Sequence, residues 1–189
     1  MKRLFAVIFL TLSLQGCIFV VGAAAGAAAI AVVYDHRTIE NTIQDTQLAN
    51  GVANKIKTAA NLRDESHIEV TAFNNVILLT GETPNPAWRE QANSLAKSVA
   101  GNARVYNQIT IQGPTSSLTR TSDSWLTTKI KAQMLTIEDL KSSSIKVVTE
   151  NGTVYLIGTV TRQQADTAVD IARQVSGAQK VIKIFQYTN

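Results

Sequence analysis

Cysteine occurs once in this 189-residue chain, histidine twice and proline three times. A single cysteine excludes an internal disulfide framework and a thiolate zinc cluster built within one chain. The two histidines, His36 and His67, leave little for a histidine-rich metal site, and neither has a cysteine or serine beside it in a recognisable nucleophile motif. There is no Walker loop and no dinucleotide-binding glycine fingerprint. The acidic pairs Asp64-Glu65 and Glu138-Asp139 fall in corresponding loops and read as solvated turns. No catalytic residue, metal ligand or cofactor is therefore assigned, and no enzymatic activity is expected. Charged residues make up 17% of the chain, below the usual quarter. The 45% hydrophobic content excludes global disorder.

The apolar residues are unevenly spread. Lys2 and Arg3 precede an almost unbroken apolar run, Leu4 to Leu14, followed by Gln15, Gly16 and Cys17. A basic start, an apolar stretch of this length and small residues before a cleavage point describe a secretory signal. Leu14-Gln15-Gly16-Cys17 resembles the lipobox of bacterial lipoproteins, with the chain's only cysteine directly behind the apolar run. That resemblance implies cleavage ahead of Cys17, acylation of its thiol with diacylglycerol and acylation, palmitate included, of its new amine. Ile18 follows where an aspartate would imply inner-membrane retention, so the resemblance implies export to the outer membrane. Two or more acyl chains anchor a protein stably where one does not.

Residues 18–33 are apolar, Ala/Gly-rich and contain Gly22-Ala23-Ala24-Ala25-Gly26, a close-packing pattern of membrane helices. Two readings stand: a lipid-adjacent tether behind the acylated cysteine, or part of an uncleaved anchor. The segment is short of the roughly 20 residues needed to span a bilayer, and the lipobox favours the tether. Loss of Lys2 and Arg3 leaves 16 basic and 14 acidic residues, so the formal +4 falls to +2.

The remainder is one unit written twice. Ile68/Ile145, Val70/Val147, Asn74/Asn151, Leu79/Leu156 and Gly81/Gly158 recur at an offset of 77, and Gly101/Gly177 and Val105/Val181 at 76. Upstream, Lys55-Ile56-Lys57 matches Lys129-Ile130-Lys131, which sets Leu126 opposite Val52 and Trp125 opposite Gly51. A period this long suits two tandem small domains, not solenoid repeats. Each unit reads helix (Thr46–Asn61; Asp123–Leu135), strand (Ile68–Phe73; Ile145–Thr149), Asn-Asn or Asn-Gly turn, and strand (Val76–Thr80; Thr153–Ile157). A helix (Pro86–Ala100; Gln163–Ser176) and a last strand (Arg104–Ile111; Lys180–Tyr187) complete it. Leu126, Ile130 and Met134 share one helical face, and Ser122 or Asp123 is positioned to cap that helix. The fold class is α+β: two α-β-β-α-β domains, each with two helices on one face of a small three-stranded mixed sheet. The expected organisation is signal 1–16, acylated Cys17 and tether 17–45, domain 46–112, linker 113–121 and domain 122–189.

The glycine-ended hairpin, the Ala-x-x-Leu-Ala or Ala-x-x-Ile-Ala helix and Val-x-Gly-x-x-x-Val before the last strand resemble the BON domain, over residues 46–112 and 122–187. With the lipobox, the chain resembles the dual-BON outer-membrane lipoprotein family, down to Asp35-His36-Arg37-Thr38 and Asp123-Ser124-Trp125-Leu126-Thr127-Thr128-Lys129. The resemblance implies attachment to the outer-membrane bilayer, facing the periplasm. It further implies binding of anionic phospholipid by the first helix of the second domain, and support of envelope integrity and division-site localisation.

Residue chemistry points the same way. Residues 40–113 carry 6 basic and 7 acidic groups, whereas 114–189 carry 9 and 6, so only the second unit favours an anionic partner. Trp125 points away from the Leu126 face, beside Thr128, Lys129 and Ala132, and its counterpart in the first unit is not aromatic. An indole with a cation one turn on suits the headgroup zone; Trp125 covering a gap between domains is the alternative. The expected phospholipid site is Trp125, Thr128, Lys129 and Lys131, with Lys141 weaker. Trp88 is expected to pack across the domain interface. The first domain is left as a scaffold for envelope proteins. The rival function is a periplasmic protein–protein scaffold with no specific lipid. Nucleic acid is not expected: the GxxG clamp is missing and the net charge is small.

Overall fold

A computed structural model describes residues 39–188; Cys17, the signal, the Ala/Gly segment and Asp35–Thr38 lie outside them. The described residues fall in one compact unit. Its first repeat runs α1 (Ile39–Lys57), α2 (Ala60–Glu65), β1 (His67–Phe73), β2 (Val76–Thr83), α3 (Pro86–Val99), β3 (Arg104–Asn107) and β4 (Thr110–Ile111). The second runs α4 (Ser117–Leu135), a 3-10 turn (Ser142–Ser144), β5 (Ile145–Glu150), β6 (Thr153–Val160), α5 (Arg162–Gln174) and β7 (Lys180–Tyr187). The α+β class and the α-β-β-α-β repeat are as expected.

Both sheets are mixed. β2 lies between antiparallel β1 and parallel β3, and β6 between antiparallel β5 and parallel β7. The hairpins turn on Asn74-Asn75 and Asn151-Gly152, all four with positive φ, the conformation that matches the strands' twist in a two-residue turn. Gly81 and Gly158 close the hairpins where a Cβ would strike the carbonyl oxygens of His67 and Ser144. The last strand of the first repeat is interrupted at Gln108-Ile109, because Asn107 Oδ1 accepts the Ile109 N–H at 3.2 Å while its amide donates to the Arg89 carbonyl.

Three helix boundaries differ markedly from expectation: the first helix starts at Ile39, inside the stretch read as tether, and not at Thr46. The first helix breaks after Lys57, where the Thr58 and Ala59 N–H groups donate to the carbonyls three residues back, of Lys55 and Ile56, at 3.2 and 3.1 Å. The helix expected at Asp123 starts at Ser117, inside the stretch read as linker. Ser116 caps it, its hydroxyl accepting the Thr119 N–H at 3.3 Å, so Ser122 and Asp123 are interior and do not cap it. The buried Asp123 carboxylate instead accepts the N–H groups of Asn151 and Gly152, at 2.8 and 2.9 Å, and pins the hairpin to α4. Asp45 on α1 makes the equivalent bond to the Asn74 N–H.

This pair of bonds corrects the alignment of the repeats. Asp45 and Asp123 are 78 apart, and at that offset Leu48, Val52 and Ile56 correspond to Leu126, Ile130 and Met134, with Leu62 matching Leu140. The expected register of 74 was one helical turn out, drawn by a Lys-Ile-Lys likeness whose isoleucines, both buried, sit one turn apart in their cores. Trp125 therefore corresponds to Gln47, not Gly51, and is still without an aromatic counterpart.

Each repeat packs its helices on one face of its sheet, over Val52, Ile56, Ile77, Leu79, Ala92 and Ala96 in the first and Leu126, Ile130, Met134, Val154, Leu156 and Ala168 in the second. A third cluster joins them: Phe73, Val76 and Leu78 meet Tyr155, Ile157 and Ile184. The sheet faces left bare by the helices are thus packed on each other, and the layers run helix, sheet, sheet, helix. The uninterrupted runs Val76–Leu79 and Val154–Ile157 are what a strand buried on both faces requires. At ~1.5–3 kcal/mol per buried side chain, these six residues make the contact a substantial part of the fold.

Candidate functional site

The outward face of α4 carries the candidate site. Helical periodicity sends Leu126, Ile130 and Met134 into the core and brings Leu118 and Trp125, seven residues apart, to nearly the same angular position. Leu118 is 81% exposed and Trp125 58%. The Lys129 ammonium sits 4.8 Å from the centroid of the Trp125 ring, a cation–π contact worth ~0.5–1 kcal/mol at an exposed position. Leu135, at the helix end, is 66% exposed.

The polar residues of this face are satisfied within the helix. Thr121, Ser124 and Thr128 donate their hydroxyls to the carbonyls of Ser117, Arg120 and Ser124, at 3.0, 3.0 and 2.9 Å. Such back-bonding spares a hydroxyl the search for a partner when water is withdrawn. Thr128 therefore presents outward a methyl group and acceptor lone pairs, its proton already committed. The only acid on α4, Asp123, is buried and held by hairpin amides. What the helix shows to its surroundings is apolar, neutral or cationic.

Trp125, Thr128 and Lys129 are brought together as expected. Lys131 is exposed but lies ~120° around the helix from Trp125, on another face, and Lys141 is exposed beyond the helix. Cys17 lies outside the described residues. Trp88 packs against the core of its own repeat, which corrects its expected place between domains. Sequence reasoning missed Leu118, because the Ser/Thr cluster around it read as linker. Ser116 followed by a leucine seven residues before Trp125 was the signal available. In the first repeat the corresponding positions hold Glu40 and Gln47, with a single exposed apolar side chain, Ile43, between them, so the paired leucine and tryptophan belong to the second repeat.

Elsewhere, open clefts of about 260 and 300 Å³ occur among the described residues, and neither is lined by an expected site residue. Among the described residues no helix is long and apolar enough to cross a membrane, and no three His, Cys, Asp or Glu side chains are grouped to hold a metal ion. Asp64 is paired with Arg63 at 2.8 Å, and the Arg63 hydrogen bond holds its carboxyl below the ordinary carboxylate range.

Comparison with known proteins places the repeats. The family model described as BON domain matches residues 44–113 and again residues 122–189. The chain is 38% identical over 187 residues to a Haemophilus influenzae protein named outer membrane lipoprotein DolP, covering 99% of this chain and 96% of that one. It is 37% identical over 153 residues to a 21 kDa hemolysin of Actinobacillus pleuropneumoniae, covering 81% and 79%. The Escherichia coli osmotically-inducible protein Y is 32% identical over 117 residues, 60% of this chain and 58% of that one.

Proposed function

Since the chain belongs to the BON-domain family and holds two copies of that domain, we propose that it is a non-enzymatic outer-membrane lipoprotein whose second domain binds anionic phospholipid through α4. In this reading Cys17 carries the acyl chains and residues 18–33 form the tether, holding both domains in the periplasm beside the bilayer. The name of the relative matched over 96% of its length supports the compartment and the lipid anchor. The proposal extends to a role in envelope integrity and at the division site, which the resemblance to dual-BON lipoproteins implies.

The observation that carries the lipid reading is the outward face of α4: two exposed apolar side chains in line, a lysine stacked on the tryptophan, and no exposed acid. Indole and leucine suit the interfacial zone, and ammonium groups meet phosphate there. Trp125, Leu118, Thr128 and Lys129 would enter the headgroup layer, while Lys131 contributes long-range attraction from the flank. Anchoring raises the effective concentration of lipid at the helix, so a weak site is occupied. The first domain, with Glu40 and Gln47 at the positions equivalent to Leu118 and Trp125, is left for envelope proteins.

Flotation with vesicles tests this, using the chain without residues 1–34. Salt-sensitive binding to anionic but not neutral vesicles, lost in Trp125→Glu, is expected. Unchanged binding by Trp125→Glu would sink the site; no binding by the unmutated chain would favour the protein-scaffold reading.

A further inference from the structure

The contact between the two repeats encloses two carboxyl groups, one from each. Glu82, near the end of β2, is fully buried; Glu150, the last residue of β5, is 7% exposed. They lie within hydrogen-bonding reach of each other. Glu82 Oε2 accepts the N–H and hydroxyl of Thr115, at 3.2 and 3.4 Å. The Oε1 atoms of both glutamates are buried with no hydrogen-bond partner.

The charges that act on Glu150 are all negative. Besides Glu82 they are Glu69 from β1 and Asp123 from α4. Tyr155 faces it from β6, its phenol pushed up to about 12 by burial and then by Glu150. Arg120 on α4 donates to the Thr115 carbonyl at 2.8 Å, and Lys146 stands four residues earlier on β5. Two carboxylates in contact, out of water and among further carboxylates, cannot both ionise cheaply. One proton between them turns repulsion into a charge-assisted hydrogen bond.

We propose that Glu82 and Glu150 form a proton-operated latch between the two repeats: one shared proton holds the sheets face to face, and its loss forces them apart at this end. Opening frees Thr115, the residue before the Ser116 cap of α4, so the start of that helix reports the state of the latch. Burial first, then Glu82, Glu69 and Asp123, push the Glu150 carboxyl from 4.5 to about 8, which places the transition near neutrality. The latch stands whether or not α4 meets lipid.

Hydrogen–deuterium exchange mass spectrometry of the full acylated chain in detergent micelles tests it. Wild type, Glu150→Gln and Glu82→Gln are compared at the same pH, so that the intrinsic exchange rate cancels. At pH 9 the wild type should exchange roughly tenfold or more faster than either variant in peptides spanning β2, β6 and Thr115; at pH 5.5 all three should agree. Equal rates at pH 9, or a difference that does not change with pH, would overturn the latch. Loss of the pH effect in Glu150→Gln but not in Glu82→Gln would overturn the pair and leave a single buried acid. Should one variant fail to fold, the other alone decides between a pH-dependent and a pH-independent difference.

Discussion

Leu118 separates folding from membrane binding more sharply than any other residue of the candidate site. It is 81% exposed and lies in the first turn of α4, so Leu118→Ala removes almost no packing and should leave stability within ~0.5 kcal/mol. If α4 lies in the headgroup zone, the same change withdraws three carbons from an apolar environment. Full burial at about 0.8 kcal/mol per methylene sets a ceiling of roughly 2.4 kcal/mol. Partial immersion at the interface gives about 1 kcal/mol, a roughly fivefold weaker partition. Leu118→Asp adds a like charge to the anionic surface and should weaken binding further, by more than tenfold at low salt. Vesicle partitioning against lipid concentration and urea unfolding, on the same preparations, read the two quantities separately. Wild-type partitioning by Leu118→Asp would refute the placement of this face in the membrane, and a stability loss above 1 kcal/mol would show that Leu118 packs against protein.

Three further outcomes are expected. Asp123→Ala leaves the hairpin amides of Asn151 and Gly152, the second of them buried, without their acceptor, which at ~1.5–3 kcal/mol for each charged bond should cost about 3–4 kcal/mol and lower Tm by roughly 10 °C; a loss below 1 kcal/mol would show that water replaces the carboxylate. Gly81→Ala combines a φ of +105° with a collision at the His67 carbonyl and should destabilise by about 2 kcal/mol or more, measurable as a lower urea midpoint. Glu150 binds its proton more tightly in the folded than in the unfolded chain, so its contribution is whole below about pH 4.5, falls as pH rises and is gone above about 8. Urea midpoints should therefore drop between pH 5 and pH 9 by the equivalent of a few kcal/mol, and a flat profile would contradict the raised carboxyl.

Much of each repeat was legible because its signals are local. Asn74-Asn75 and Asn151-Gly152 carry their turn chemistry in two residues, and Leu126, Ile130 and Met134 mark a buried face by spacing alone. The start of α4 was misread for the same reason: the Ser/Thr cluster around Leu118 is ambiguous until Ser116 is seen capping a helix. The register between α1 and α4 was misplaced because two lysines around an isoleucine look alike on the page. The aspartates that hold the hairpins define the true register through bonds spanning nearly 30 residues. The candidate site divides similarly. Trp125 and Lys129, one turn apart, could be paired by helical geometry, while the committed hydroxyl of Thr128 and the separate face of Lys131 emerged only with the helix in place.

The sequence by itself determined the repeat, the order of elements, the hairpins, the lipobox resemblance and the aromatic–cation pair, since each is written within a few residues or a fixed period. Only the tertiary structure decided that the two sheets close on each other through Phe73, Val76, Leu78, Tyr155, Ile157 and Ile184, and that Glu82 and Glu150 are thereby buried together. The apolar runs Val76–Leu79 and Val154–Ile157 announced that these strands are covered on both faces. What covers them is a choice among all the apolar surfaces the folded chain presents, and that choice depends on burial of area, which acts between residues distant in the chain and has no fixed spacing to read.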